Sequence, residues 1–223
     1  MVAVAIAISS SGGGSAPSPT SAAARQSANT VGALLAGIPQ SGQTIGNPNA
    51  KVTVTEYGDL QCPVCRDFAL SSENQLIQNE VRSGKAKLVY KSLETATGNG
   101  PNPGIFPTQQ AAAYAAGKQG KAWNYILLFY HEQGQEGTGY ATPAFFDGLA
   151  RQISGLNYNQ WLSDSTSSAL TSQVSAEHQA ATAKGFNSTP TLVIAGPKGQ
   201  AQPIVGVPQG GYGQLQSAIN SVS

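Results

Sequence analysis

The chain has 223 residues, 40% of them hydrophobic, which fits one domain with appendages and excludes wholesale disorder. Only 10% are charged, 12 basic against 11 acidic, and no run of like charge occurs. Nucleic-acid binding needs a basic patch and is therefore excluded, while two Cys and two His exclude a disulfide-rich scaffold, a four-cysteine metal site and an all-histidine one.

In chain order, residues 2–8 (VAVAIAI) are apolar but far short of the roughly 20 needed to span a bilayer. They read as the tail of a membrane anchor or secretory signal, most of it not in this chain. Residues 9–24 are rich in Ser, Gly, Ala and Pro, so residues 1–30 are expected to be an anchor remnant and a disordered tether. KVTVTEYGD (51–59) alternates β-formers and predicts a strand. A helix is expected from Cys62 to about Ser83, with Cys62, Cys65, Phe68, Ala69 and Leu76 within one arc and Gly84 as its stop. KLVYKSL (87–93) is a second strand, and a Gly/Asn/Pro-rich loop leads to about Phe106. A helical block follows: an Ala-rich helix opened by Pro107, a heavily apolar stretch from Trp123 to Tyr130, a Thr142-Pro143 start, a short helix from Asn157, and a polar helix ending at Lys184. Strands at 191–195 and 202–207 and a helix over 212–222 complete the chain.

The chemistry centres on Cys62-Pro63-Val64-Cys65. Zinc would need two further ligands of matching spacing, so no metal is expected. A purely structural disulfide is also a poor reading, because so short a loop removes only about 2 kcal/mol of unfolded-state entropy. Position favours redox chemistry. Cys62 follows a strand and opens a helix, where free N–H groups and the helix dipole stabilise a thiolate. Cys65, one turn further in, is the expected buried partner.

TVTEYGDLQCPVC, followed much later by STPTLVI, resembles the DsbA-like thiol–disulfide oxidoreductases of the thioredoxin superfamily, over roughly residues 45–222. The resemblance implies an α/β thioredoxin fold with a helical domain inserted between the second and third core strands. It divides the chain into 31–106, an inserted 107–186 and 187–223. It implies a cis-proline at Pro190 facing the cysteines, with Thr189 offering its backbone to an extended substrate beside Pro63 and Val64. It also places a buried acid at Glu56, on the strand face shared with Val52 and Val54, able to exchange a proton with Cys65. Asp59 is expected to cap the turn into the helix. One departure is Val64: the most oxidising members carry His there, and Val cannot support a thiolate. His131 and His178 lie in polar helical stretches and read as surface residues.

The expected function is an extracytoplasmic oxidase donating its Cys62–Cys65 disulfide to folding proteins. No cofactor is expected. Its partners would be unfolded or reduced proteins and a membrane-bound, quinone-linked reoxidant, with the protein itself a monomer. A disulfide isomerase or reductase on the same fold is the alternative, weakly favoured by Thr189. A non-catalytic module that grips unfolded chains comes behind both.

Overall fold

The alternating residues of KVTVTEYG form the central strand of a seven-stranded sheet. The structure, a computed structural model, describes residues 18–207 and 211–223. The first seventeen residues, and with them the expected anchor remnant and most of the tether, lie outside the described residues. Strand β3 (Val52–Gly58) runs parallel to β4 (Ala86–Ser92) and antiparallel to β5 (Thr191–Gly196). In this register Glu56 stands beside Tyr90 of β4 and Leu192 of β5, so the face begun by Val52 and Val54 carries an acid into the core.

The sheet order is β1-β2-β4-β3-β5-β6, with β7 also paired to β5. Strands β1 (Gln40–Ser41) and β2 (Thr44–Ile45) form a hairpin antiparallel to β4. Two-residue strands with one buried apolar side chain, Ile45, leave no alternation to read. The strand expected over 202–207 shrinks to β7 (Ile204–Val205), and β6 (Gly199–Gln200) occupies part of the expected turn. Pro203 brings no N–H to a ladder and Gly206 turns away at φ 60°, which together confine pairing to two residues.

A second difference is at the start. Helix α1 (Ala22–Leu35) occupies part of the stretch read as tether, so the ordered fold begins before residue 30. The Ser/Ala composition suggested a linker, yet Ser21 caps the helix by accepting from Ala24 N at 3.0 Å, and Ala24, Val31 and Leu35 bury one stripe. Arg82 donates to Leu34 O at 2.6 Å and Ala36 O at 3.0 Å, fastening the end of α1 to the helix that precedes β4.

That helix follows β3 and is helical from 63 to 81, but not uniformly. Helix α2 (Pro63–Phe68) passes into a π-helical turn (Ala69–Glu73), then α3 (Asn74–Leu76), then a second π turn (Ile77–Val81). Gly84 ends the run at φ 78°, as expected of a residue without a Cβ. The wide π turns bring Ser72, Glu73 and Glu80 inward with Leu76 and Ile77.

Between β4 and β5 lie α4 (Phe106–Gly117), α5 (Ala122–His131), α6 (Pro143–Gln152), α7 (Tyr158–Ser165) and α8 (Ser168–Ala183). Two starts follow the expected caps, Thr142 Oγ1 accepting from Phe145 N and Asn157 Oδ1 from Gln160 N, and Ser167, which the sequence reading did not single out, caps α8 by accepting from Ala169 N. Helix α4 is buried almost all round, because its alanines let α5, α7 and α8 pack close against it. Phe129, Tyr140, Phe145 and Phe146 form an aromatic cluster with centroids 5.2–6.4 Å apart. The helices are tied to the sheet by Glu177 of α8, which accepts from Lys91 Nζ at 2.7 Å, from Ser92 N at 3.1 Å and from the Tyr114 hydroxyl. Helix α9 (Tyr212–Val222) packs on β5. Among the described residues no helix is long and apolar enough to cross a membrane.

Candidate active site

Cys62 is the N-cap of α2, with extended backbone angles (φ −74°, ψ 120°) and Pro63 at the first helical position. Its sulfur accepts from Cys65 N at 3.5 Å, which satisfies one of the free donors of the first turn. Both cysteines are free thiols, Cys62 6% exposed and Cys65 fully buried. Across the fold the Thr189–Pro190 peptide is cis, and Thr189 O lies 3.5 Å from Cys62 Sγ, where the protonated thiol donates to it. Val64 is exposed beside the thiol, whereas Thr189 and Pro190 are buried.

The electrostatics separate the two sulfurs. Hydrogen bonding from the Cys65 thiol, aided by the Thr189 side chain and the Cys65 and Val64 backbone and opposed by burial, brings Cys62 down from 9.0 to about 7. Burial is the main reason Cys65 is pushed well above its ordinary value, and the Cys62 thiol and the charges of Cys62 and Glu56 add to it. A thiol drawn toward ionisation at the helix start and a protonated one deeper in the fold suit attack by the first and resolution by the second.

Glu56 is buried beneath the pair. Burial, partly offset by Glu73 and reinforced by the Cys62 charge, brings it from 4.5 to about 7. The structure thus brings Cys62, Cys65, Glu56, Thr189 and Pro190 together, with Pro63 and Val64 at the rim. His131 and His178 are half-buried rather than free surface residues, and His178 Nδ1 accepts from Glu94 N at 3.1 Å. Among the described residues no three His, Cys, Asp or Glu side chains gather as a metal site.

Asp59 does more than cap. Besides Gln61 N at 3.0 Å it accepts from Thr95 N, Thr97 N, Thr97 Oγ1 and Gln109 Nε2 at 2.6–3.1 Å. Five donors compensate a buried carboxylate that has no cation against it. Thr95 Oγ1 is also 2.6 Å from Thr189 Oγ1, so one network joins the turn before Cys62, the loop after β4, helix α4 and the cis-proline loop. Gln133 Nε2 donates to Leu60 O at 2.8 Å and Cys62 O at 3.2 Å, holding the same turn from the other side.

Residues 40–204 match the thioredoxin family model Thioredoxin_4. The chain belongs to the thioredoxin family. No curated protein matches it by sequence. Solved structures with the same fold include oxidised BdbD from Bacillus subtilis (18% identity, TM-score 0.66, covering 82% of this chain and 96% of that one). DsbA2 of Pseudomonas aeruginosa is similar at 24% identity and TM-score 0.61, over 82% of this chain and 95% of its own. The thiol–disulfide exchange protein α-DsbA2 of Wolbachia pipientis has 16% identity and TM-score 0.60, over 91% and 100%. The fold of this thioredoxin-family chain is thus the DsbA-like one, and the helices between β4 and β5 account for its length beyond the sheet.

Sequence reasoning missed Glu73, Tyr90 and the donors around Asp59. Glu73 gave a signal: at 100° per residue it falls in the arc that holds Cys62, Cys65 and Leu76, where a charged residue is out of place. Thr95, Thr97 and Gln109 gave none, since a loop's polar residues look alike until the fold brings them to one carboxylate.

Proposed function

We propose that the protein is a thiol–disulfide oxidoreductase that donates a Cys62–Cys65 disulfide to folding proteins outside the cytoplasm. The observation that carries this reading is the contrast between the two sulfurs: Cys62 at a helix start, at about 7 and facing the cis-proline loop, and Cys65 fully buried and held as a thiol. In the oxidising direction a substrate thiolate attacks Cys62 Sγ. The Cys62–Cys65 bond breaks, and Cys65 leaves with the electron pair and takes a proton from Glu56. A second substrate thiolate then attacks the first substrate sulfur, and Cys62 leaves as a stabilised thiolate. The substrate is oxidised by two electrons and the protein reduced by two.

Thr189 and Pro190 present backbone to an extended substrate segment, and the exposed Val64 and Val205 give it apolar contact. The low charge of the chain suits work on the outer side of the membrane, where the protein would act as a monomer reoxidised by a membrane-bound, quinone-linked partner.

Equilibration with reduced and oxidised glutathione tests the direction. The expected potential is less negative than about −200 mV, short of the about −120 mV extreme because Val64 adds no charge partner. A value near about −270 mV would make the protein a reductase.

A further inference from the structure

Two acids, not one, lie under the cysteines. Glu73, at the end of the π turn, is 1% exposed and Glu56 fully buried. None of their four carboxyl oxygens has a hydrogen-bond partner elsewhere in the fold, and no Lys, Arg or His is among the buried described residues. Two buried carboxylates without donor or cation would be among the costliest arrangements a core can hold. The groups that face them offer little relief. Strand β4 contributes Tyr90, α5 contributes Tyr130, α2 contributes Cys62 and Cys65, and β5 contributes the apolar Leu192. The tyrosines stay protonated, since burial pushes both well above their ordinary value, and the Tyr90 hydroxyl is itself without a partner. Neither tyrosine hydroxyl is hydrogen-bonded to either acid, and two ionised carboxylates only accept, so a proton held between the two acids supplies the missing donor.

We propose that Glu73 is held as a protonated acid that donates its O–H to Glu56, so that Glu56 alone exchanges its proton with Cys65 and does so in the working pH range. Burial and the Glu56 charge push Glu73 well above the usual carboxylate range, and the same contact holds Glu56 down against its own burial. Glu73 is then a positioning residue: it touches neither sulfur nor substrate, and it sets when Glu56 can give a proton. No proton is lost or gained overall in the step. As the Cys62–Cys65 bond breaks, the Glu56 proton moves to Cys65, and the Glu56 carboxylate that remains accepts the hydrogen bond of Glu73. The direction of proton movement rests on the exchange reading above, whereas the protonation of Glu73 does not.

The test compares Glu73→Met, which keeps the volume and removes the donor, with Glu73→Gln, which keeps a donor. Opening of the disulfide by glutathione is followed over about pH 5–9 and expressed per glutathione thiolate. The rate should fall as Glu56 ionises. In Glu73→Met that fall should move to higher pH by about one unit or more, while Glu73→Gln should stay at the parent midpoint. Coincident midpoints for all three, or a shift in Glu73→Gln equal to that in Glu73→Met, would overturn the proposal. Infrared difference spectroscopy of the parent covers a Met variant that does not fold and a parent that does not exchange with glutathione. One protonated carboxyl band should persist above pH 8 and vanish in Glu73→Gln. Its absence from the parent refutes the protonated Glu73 whatever the activity, whereas a parent with the band but no exchange refutes only the function.

Discussion

Reduction should stabilise this protein by an amount that grows with pH. In the reduced chain the Cys62 thiol is brought from 9.0 to about 7, a downward shift of an acid. Such a group adds stability that is complete above the unfolded value near 9, declines as pH falls, and is gone below about 7. Two units correspond to at most about 3 kcal/mol. The oxidised chain has no thiol to titrate, and Cys65 stays protonated throughout the window because burial raises it. Part of the gain is offset because the Cys62 thiolate makes ionised Glu56 less favourable. For a chain of this size 1 kcal/mol moves Tm by roughly 2–4 °C. The difference in Tm between reduced and oxidised protein should therefore widen between pH 6 and 9 by several degrees, and by no more than about 12 °C. Calorimetry of both forms at four pH values measures it. A difference that is flat or narrows over that range would mean the helix start does not stabilise the Cys62 thiolate, and the nucleophile assignment would fail with it.

Other substitutions have expected outcomes. Cys65→Ala should accumulate mixed disulfides with a thiol-bearing peptide, seen by mass spectrometry, and Cys62→Ala should trap none. Val64→His places a cation beside the sulfur and should lower the Cys62 titration and make the glutathione-determined potential less negative. Asp59→Asn replaces an acceptor of five hydrogen bonds with a half-donor and should cost about 3 kcal/mol in urea unfolding, besides slowing exchange through the loop that holds Thr189. Gly58→Ala would place a Cβ 2.7 Å from Tyr90 Cε2 and 2.9 Å from its hydroxyl, so a loss of about 1–3 kcal/mol is expected in the same assay.

What could be read from the sequence was whatever repeats along the chain or sits next to its partner. Val52, Val54 and Glu56 share a face by alternation, and Cys62 and Cys65 are one helical turn apart, so strand, helix and thiol pair follow from spacing alone. Thr142 and Asn157 marked helix starts because a cap is a local bond. The short strands β1, β2 and β6 had no such period; each exists because a neighbouring strand offers it an edge. Helix α1 was obscured because alanine and serine serve a linker and a buried helix equally well, and only Val31 and Leu35 set them apart. The acid pair needed both kinds of information: Glu73 shares the cysteines' arc by the helical period, but Glu56 meets it only after β3 and the helix pack.

The two-residue strands at the margins of the sheet have a further consequence. An unpaired strand edge is a template for any extended chain, a hazard for the oxidoreductase of folding proteins proposed above. Here one side ends in the hairpin strand β1 (Gln40–Ser41) and the other in β6 (Gly199–Gln200) and β7 (Ile204–Val205). Among the described residues neither outermost strand offers more than two residues of backbone in strand geometry, too little for an extended chain to zip onto. On the proposed function, contact with a client would be steered away from generic sheet extension and toward the loop of Thr189 and Pro190, where a passing chain would meet a reactive sulfur rather than a place to aggregate.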